Sequence, residues 1–134
     1  RRSFRQVQSM NDPIRSPSAG TKAHGDLIAA IADSLGSQPD VFMLHINVFA
    51  GRRSGSETWS RSAPKGTPDL LCCVRNRRTG LGLFLAMDAK TGAASLTKEQ
   101  RNFRDAIQRF GGGMFAEVRS VDDAAAAVER ARNA

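Results

Sequence analysis

Two apolar runs joined by a short polar turn constrain the fold of this chain more than any other feature. Residues 68–74 and 81–90 are largely apolar, and the six residues between them, Arg-Asn-Arg-Arg-Thr-Gly, favour a turn. This arrangement predicts a β-hairpin. If the hairpin is symmetric about residues 78 and 79, Asp69 on the first strand faces Asp88 on the second.

That register predicts one charged face and one apolar face. Lys90 shares a face with Asp69 and Asp88, because side chains alternate along a strand. The opposite face carries only apolar residues, namely Leu70, Cys72, Val74, Leu83, Leu85 and Met87. Two carboxylates about 5 Å apart repel by about 3 kcal/mol at an effective dielectric constant near 20, so a cation must offset them. Mg²⁺ accepts two such oxygens when it keeps several waters. Alternatively, Asp69 is a strand-end residue and Asp88 and Lys90 form a solvated ion pair.

The first half of the chain contains three further predicted segments. Apolar residues at helical spacing predict a helix over residues 22–35. Residues 41–49 are rich in β-branched and aromatic types and predict a buried strand. Residues 51–66 are rich in Ser, Arg and Gly and predict a long loop. Residues 1–20 have only scattered apolar residues, so we expect a flexible basic arm ahead of a single domain over residues 21–134.

The second half contains two capped helices with a strand between them. Thr97 and Gln100 fit a capping box for a helix with an apolar stripe through Phe110, ending at the glycines 111–113. Residues 114–118 predict a strand, and Ser120 with Asp123 predicts a final helix through about Arg132. The order is helix, three strands, helix, strand, helix, which predicts an α/β fold with a mixed sheet of about four strands flanked by helices.

Composition excludes several classes of protein. The 134 residues fit one domain, and 40% apolar with 25% charged residues argue against wholesale disorder. No apolar run approaches membrane-spanning length. Cys72 and Cys73 are adjacent and provide neither a disulfide framework nor metal-ligand spacing, so we expect a soluble protein of a reducing, cytoplasmic compartment. Core packing is the expected role of both cysteines and of His45.

The net charge of +7 and the pI near 10.7 favour a polyanionic partner. Part of the excess lies in the expected loop, which also carries an aromatic residue able to stack on a base. The residues expected to bind nucleic acid there are Arg52, Arg53, Trp59, Arg61 and Lys65. Such a cluster is equally compatible with a solvated loop.

Several motifs together resemble the PD-(D/E)xK nuclease superfamily. They are the runs Gly-Thr-Pro-Asp-Leu at 66–70 and Met-Asp-Ala-Lys at 87–90, followed by Gln100, Phe103 and a glycine pair at 111–112. Within that superfamily the chain is most similar, over roughly residues 22–130, to the VRR-NUC and Holliday-junction-resolvase-like branch. Members of this branch are often small phage or bacterial proteins. The resemblance implies a restriction-endonuclease-like core and a metal-dependent endonuclease acting on DNA, with branched DNA such as Holliday junctions as a possible substrate.

The resemblance also implies roles for individual residues. Asp69, Asp88 and the backbone carbonyl of Ala89 would hold Mg²⁺ or Mn²⁺, and Lys90 would orient the attacking water. Gln100 would be catalytic, although its place in the capping box explains it equally well. The cell would be bacterial or phage-infected, and a homodimer would suit a symmetric four-way junction.

The first helix departs from the family pattern. VRR-NUC proteins usually place a Glu there that points into the site, whereas this chain has His24 as a candidate third metal ligand, with Asp26 beside it. A catalytically inactive nucleic-acid-binding module on the same fold is therefore the alternative function. A small basic structural protein would follow if the hairpin register slipped by one residue and separated Asp69 from Asp88.

Overall fold

The computed structural model describes residues 19–46, 50–52, 59–61 and 63–134. Within these ranges the chain forms α1 (Ala19–Leu35), β1 (Val41–His45), β2 (Ala50–Arg52), β3 (Trp59–Arg61), β4 (Leu70–Arg75), β5 (Gly82–Ala89), α2 (Lys98–Phe110), β6 (Gly113–Val118) and α3 (Val121–Asn133). Most of the predicted arm, residues 1–18, lies outside the described residues, and its last two positions belong to α1.

Four strands form a mixed sheet in the order β1-β4-β5-β6. The neighbours β1, β4 and β5 run antiparallel, whereas β6 runs parallel to β5. The α/β fold with a four-stranded mixed sheet flanked by helices is therefore confirmed. The β4–β5 hairpin also has the predicted register, since Leu70 pairs with Met87 and Val74 with Leu83.

The hydrophobic core lies on one face of this sheet, beneath α1 and α3. The apolar face predicted for the hairpin forms its centre, with Leu70, Val74, Leu85 and Met87 fully buried. Ile28, Ile31 and Leu35 enter it from α1, while Ala124, Ala127, Val128 and Ala131 enter it from α3. Alanines on α3 allow the helix to approach the strands closely, and Ser120 caps its first turn through the Asp123 amide at 3.0 Å.

Helix α2 packs on the other face, against β6. A side chain on Gly113 would come within 3.1 Å of Ile107 on the helix and within 2.9 Å of Phe84 on β5. The glycine therefore allows the helix to lie close to the sheet. The predicted capping box is present at Thr97 and Gln100, and α2 ends at Gly111, which has a left-handed φ of 69°. Phe110 does not join the expected buried stripe and is 78% exposed.

The prediction of a buried strand over residues 41–49 is wrong in two respects. Strand β1 ends at His45, and residues 47–49 lie outside the described part of the chain. β1 is also an edge strand covered on one face only, so Val41 is buried while Phe42 is 62% exposed. His45 is also exposed, although it lies on the same face as Val41, and it is therefore not a core residue.

The two cysteines lie on opposite faces of β4. Cys72 is buried as expected, and burial raises the pKa of its thiol to about 12. Cys73 is exposed, contrary to the expected core role, because successive side chains of a strand point to opposite faces and its face is the less covered one.

The segment predicted as a long loop contains regular structure. Strands β2 and β3 pair antiparallel, with Gly51 opposite Ser60. Each strand has only three residues, Ala-Gly-Arg and Trp-Ser-Arg, which are too few for an apolar period to reveal this ribbon in the sequence.

The turn of the β4–β5 hairpin anchors the end of α3. Asn76 is buried and donates from Nδ2 to the carbonyl oxygens of Ala131 and Ala134, each at 2.9 Å. Arg77 pairs with Glu129 at 2.7 Å, and the backbone amide of Arg77 donates to the carbonyl of Arg132 at 2.7 Å. The basic turn thus has a structural role in joining the hairpin to the last helix.

None of the helices in the described ranges combines the length and apolar character needed to cross a membrane.

Candidate active site

Asp69 is positioned by a close contact between the preceding loop and the first turn of α2. Gly66 has a φ of +90°, and a Cβ there would lie 2.6 Å from the backbone carbonyl carbon and oxygen of Glu99. Only glycine fits this position without strain. Lys65 pairs with Glu99 at 3.3 Å across the same contact, and Pro68 is fully buried. The loop that delivers Asp69 therefore lies directly on the helix that carries Gln100.

The Asp69 carboxylate is held by two contacts at the end of the hairpin. Its Oδ2 accepts a hydrogen bond from the Ala89 backbone amide at 2.9 Å, so Asp69 reaches across to the residue after Asp88. The same oxygen lies 3.2 Å from Nε2 of His24 on α1. About a fifth of the Asp69 side chain is exposed, at 21%. One carboxylate therefore joins α1 to the end of β5.

Asp88 has no exposure to solvent, at 0% of its side chain. Its Oδ1 accepts a hydrogen bond from Nε2 of Gln100 at 3.2 Å. Its Oδ2 lies 3.1 Å from Nζ of Lys90 but without the angles of a hydrogen bond, so this buried oxygen has no hydrogen-bond partner. An unsatisfied buried carboxylate oxygen carries a large desolvation penalty and needs a functional explanation.

The environment of Asp88 opposes its negative charge. Burial, and then the charge of Asp69, raise the pKa of the Asp88 carboxyl to about 6, although Lys90 acts in the opposite direction. Perturbed carboxyl pKa values of this origin concentrate at functional sites.

Lys90 and Gln100 complete a continuous polar network. The Lys90 side chain is only 12% exposed, and its Nζ donates to Oε1 of Gln100 at 2.8 Å. The same Oε1 accepts from the Thr97 backbone amide at 2.9 Å. Gln100 therefore serves the capping box and the site at once, so the two roles left open by the sequence are compatible.

Two carboxylates could contribute oxygen ligands to a divalent cation here. Asp69 and Asp88 are adjacent across the hairpin ends, and Oδ2 of Asp88, which accepts no hydrogen bond, is a suitable ligand atom. Within the described residues, however, no group of three or more His, Cys, Asp or Glu side chains is arranged to hold a metal ion. The donor set therefore fits a hard cation that keeps most of its waters.

The residues predicted to bind nucleic acid are only partly described. Lys65 is exposed and lies beside the site through its ion pair with Glu99. Arg52, Trp59 and Arg61 belong to the β2–β3 ribbon, of which only the backbone is described, and Arg53 lies outside the described residues. Their role as a nucleic-acid contact stays a prediction.

One positioning feature was missed by the sequence argument. Glu99 provides the backbone surface against which Gly66 packs. The Thr-x-x-Gln and Gly-x-Pro-Asp patterns were both visible in the sequence. The contact of Gly66 with Glu99, however, joins residues about thirty positions apart, and no periodicity in the sequence indicates it.

Comparison with known proteins found no matching family model, no matching curated protein and no matching solved structure.

Proposed function

We propose that the chain is a metal-dependent endonuclease that hydrolyses phosphodiester bonds of DNA. The observation that carries the proposal is the convergence of Asp69, Asp88, Lys90 and Gln100 at one end of the β4–β5 hairpin. Two carboxylates, a nearly buried lysine and an orphaned carboxylate oxygen suit phosphoryl chemistry better than structural stability.

The proposal includes a restriction-endonuclease-like core and the resemblance to the VRR-NUC and Holliday-junction-resolvase-like branch. It is supported by the helix and strand order around the hairpin and by the positions of the motif residues on it. The basic pI near 10.7 supports a polyanionic substrate.

Asp69 and Asp88 would hold Mg²⁺ or Mn²⁺, with the carbonyl of Ala89 as a further oxygen donor. A bound divalent cation of this kind polarises a phosphoryl oxygen and lowers the pKa of a bound water. The chain's own contribution is orientation: the Ala89 amide fixes Asp69, and Gln100 fixes Asp88 from the opposite side.

Lys90 would stabilise the negative charge that grows on the phosphate and orient the attacking water. Its ammonium group is positioned in advance, because it donates a hydrogen bond to Gln100 and forms an ion pair with Asp88. A preorganised cation in a site sheltered from water stabilises a developing charge more strongly than a solvated one.

The position of His24 is relevant to the alternative function, which is an inactive nucleic-acid-binding module. Its ring lies against Asp69 at 3.2 Å, where a carboxylate donor would complete a set of three acidic ligands. An imidazole suits transition metals such as Fe, Ni and Zn better than Mg²⁺. The lack of a third acidic ligand in the described part of the chain is the observation that favours the inactive module.

The test is cleavage of labelled four-way junction, flap, duplex and single-stranded DNA in Mg²⁺ and in Mn²⁺. Wild type is compared with Asp88→Ala and Lys90→Ala, and with Asp33→Ala as a matched control, since Asp33 is exposed on α1. Folding of every variant is checked first by circular dichroism and thermal melting.

Metal-dependent products that disappear in both site variants and persist in Asp33→Ala would establish the nuclease. The preferred substrate would then decide whether branched DNA is its target, and the size of the protein–junction complex would test the homodimer. Salt-sensitive binding without products in either metal would overturn the enzyme and support the inactive binding module.

A further inference from the structure

The three helices differ in charge, and the difference follows the two faces of the sheet. Helix α2 contains four basic and two acidic residues. Helices α1 and α3, which cover the core face, each contain one more acidic than basic residue. Among the three helices, α2 is therefore the one whose own charge would attract a polyanion.

The same helix supplies the candidate site with Gln100 from its first turn. Lys98 and Arg101 lie within two positions of Gln100, but their side chains are exposed, whereas Gln100 is half-buried. The helix thus presents one side to the site and the sheet and another, basic side to solvent.

Three cations on this outer side have no acidic partner among the described residues: Lys98, Arg101 and Arg109. By contrast, Arg104 pairs with Asp105 at 3.1 Å. The helical rise separates positions 98 and 109 by about 17 Å, which is the axial length of about five base pairs of duplex.

An exposed aromatic ring lies at the end of this row. Phe110 is 78% exposed, and the guanidinium of Arg109 lies 5.5 Å from the centre of its ring. Aromatic rings beside cations are the combination that binds bases together with the phosphate backbone.

We propose that the outer side of α2, formed by Lys98, Arg101 and Arg109, is a contact surface for the phosphate backbone of the nucleic acid, and that it is extended by the exposed ring of Phe110 beside Arg109. It would hold the strand that leads away from the candidate site, with Phe110 stacking on a base. The inference rests on the proposed function, since it extends the binding of the same substrate beyond the reacting phosphate.

The experiment measures binding separately from cleavage. A fluorescein-labelled duplex of 20 base pairs is titrated with protein in EDTA between 50 and 200 mM salt, and the dissociation constant is read by anisotropy. The test protein is Lys98→Gln/Arg109→Gln. Arg101 is left intact because its Nη1 donates to the Leu96 carbonyl at 2.7 Å and supports the loop before α2.

The matched control is Lys22→Gln/Arg130→Gln, which removes the same charge from exposed positions on α1 and α3. We expect the test protein to bind about tenfold more weakly. The slope of the logarithm of its binding constant against the logarithm of the salt concentration should become shallower by up to about 1.8, which corresponds to two lost phosphate contacts. The control should remain within about twofold of wild type. Phe110→Ala should weaken binding of a single-stranded probe and leave the salt slope unchanged.

Equal loss of binding in the test and control proteins would overturn the surface, since it would show a nonspecific effect of net charge. Unchanged binding of the test protein would also overturn the proposed surface. In that case metal-dependent cleavage by wild type would still support the proposed nuclease. Failure of wild type to bind any probe would overturn the surface, and together with the absence of metal-dependent products it would overturn the enzyme as well. Weakened binding in the test protein, with no cleavage by wild type, would support the surface and overturn the enzyme.

Discussion

Gln100 donates a hydrogen bond from Nε2 to Oδ1 of Asp88 at 3.2 Å while its Oε1 accepts from the Lys90 ammonium at 2.8 Å. One amide therefore bonds one oxygen of a buried acid and the ammonium group of a nearly buried base, and it is itself oriented by the Thr97 backbone amide. A rigid helix terminus thus sets the relative positions of the two charged groups most central to the proposed chemistry.

Gln100→Ala should reduce cleavage by about 10- to 100-fold with little change in DNA affinity, because it releases both groups that the amide orients. It should also cost about 1 kcal/mol of stability through loss of the capping box. Single-turnover cleavage and DNA binding, measured on the same preparations, separate the two effects.

Thr97→Ala is the control for the capping effect alone. It removes the hydroxyl that accepts from the Gln100 amide at 3.2 Å but keeps the backbone amide that orients the side chain. It should lose about 1 kcal/mol of stability and retain most of its cleavage rate. An equally large loss of cleavage in Thr97→Ala would assign the role to helix stability and not to orientation by Gln100.

Gly66→Ala should destabilise the protein by more than about 2 kcal/mol and separate the loop from α2. The new Cβ would meet the Glu99 backbone at 2.6 Å, and the φ of +90° is itself unfavourable for alanine. Gly80→Ala is the matched control, since Gly80 also has a positive φ, of 70°, but nothing lies within 4 Å of its Cβ position. Gly80→Ala should lower the free energy of unfolding by only about 1 to 2 kcal/mol. Equal losses of unfolding free energy for the two variants in urea denaturation would show that the contact between Gly66 and Glu99 does not contribute to stability.

The hairpin shows how far local sequence rules reach. Its register follows from a short turn between two apolar runs, and the pairing of Leu70 with Met87 brings Asp69 and Asp88 to the same end, as the pattern predicts. The capped ends of α2 and α3 are likewise local, because a Thr or Ser side chain bonds a backbone amide three residues away.

Properties set by distant parts of the chain were not predictable in the same way. Whether β1 is buried depends on its place at the sheet edge, which no pattern within residues 41–45 encodes. The contact of Gly66 with Glu99 and that of Asn76 with Ala131 join residues far apart in the sequence. Phe110 has the correct spacing for the apolar stripe, yet it follows Ile107, which packs over Gly113, and it is left exposed at the end of the helix.

Asn76→Ala should destabilise the protein by about 2 to 4 kcal/mol. The change removes the Asn76 donor from the carbonyl of Ala131 and one of two side-chain donors from that of Ala134, and it removes the oxygen that accepts from the amides of Arg78 and Thr79. Asn102→Ala on the exposed side of α2 is the control and should cost less than about 0.5 kcal/mol. Equal denaturation midpoints for the two variants would contradict the anchoring of α3 by the hairpin turn.

The raised pKa of Asp88, about 6, predicts a pH dependence of stability with a defined sign. Between about pH 4 and pH 6 the folded protein retains a proton on Asp88 that the unfolded chain has lost, so this group's contribution to the unfolding free energy falls as pH rises. Asp88→Asn has no such proton to lose. The stability of wild type relative to Asp88→Asn should therefore fall by on the order of 3 kcal/mol across this window.

The measurement is urea denaturation of both proteins from pH 4 to pH 7 in EDTA, so that no divalent cation offsets the charge of Asp88. Asp33→Asn, which removes a carboxylate exposed on α1, is compared with wild type in the same way. Added Mg²⁺ or Mn²⁺ at pH 7 should then restore part of the lost stability to wild type but not to Asp88→Asn, because a cation that binds only the folded state stabilises it by RT ln(1 + c/Kd), where c is the free cation concentration. Parallel curves for wild type and Asp88→Asn would show that burial does not raise the pKa of this carboxyl and would remove the main electrostatic argument for a cation between Asp69 and Asp88.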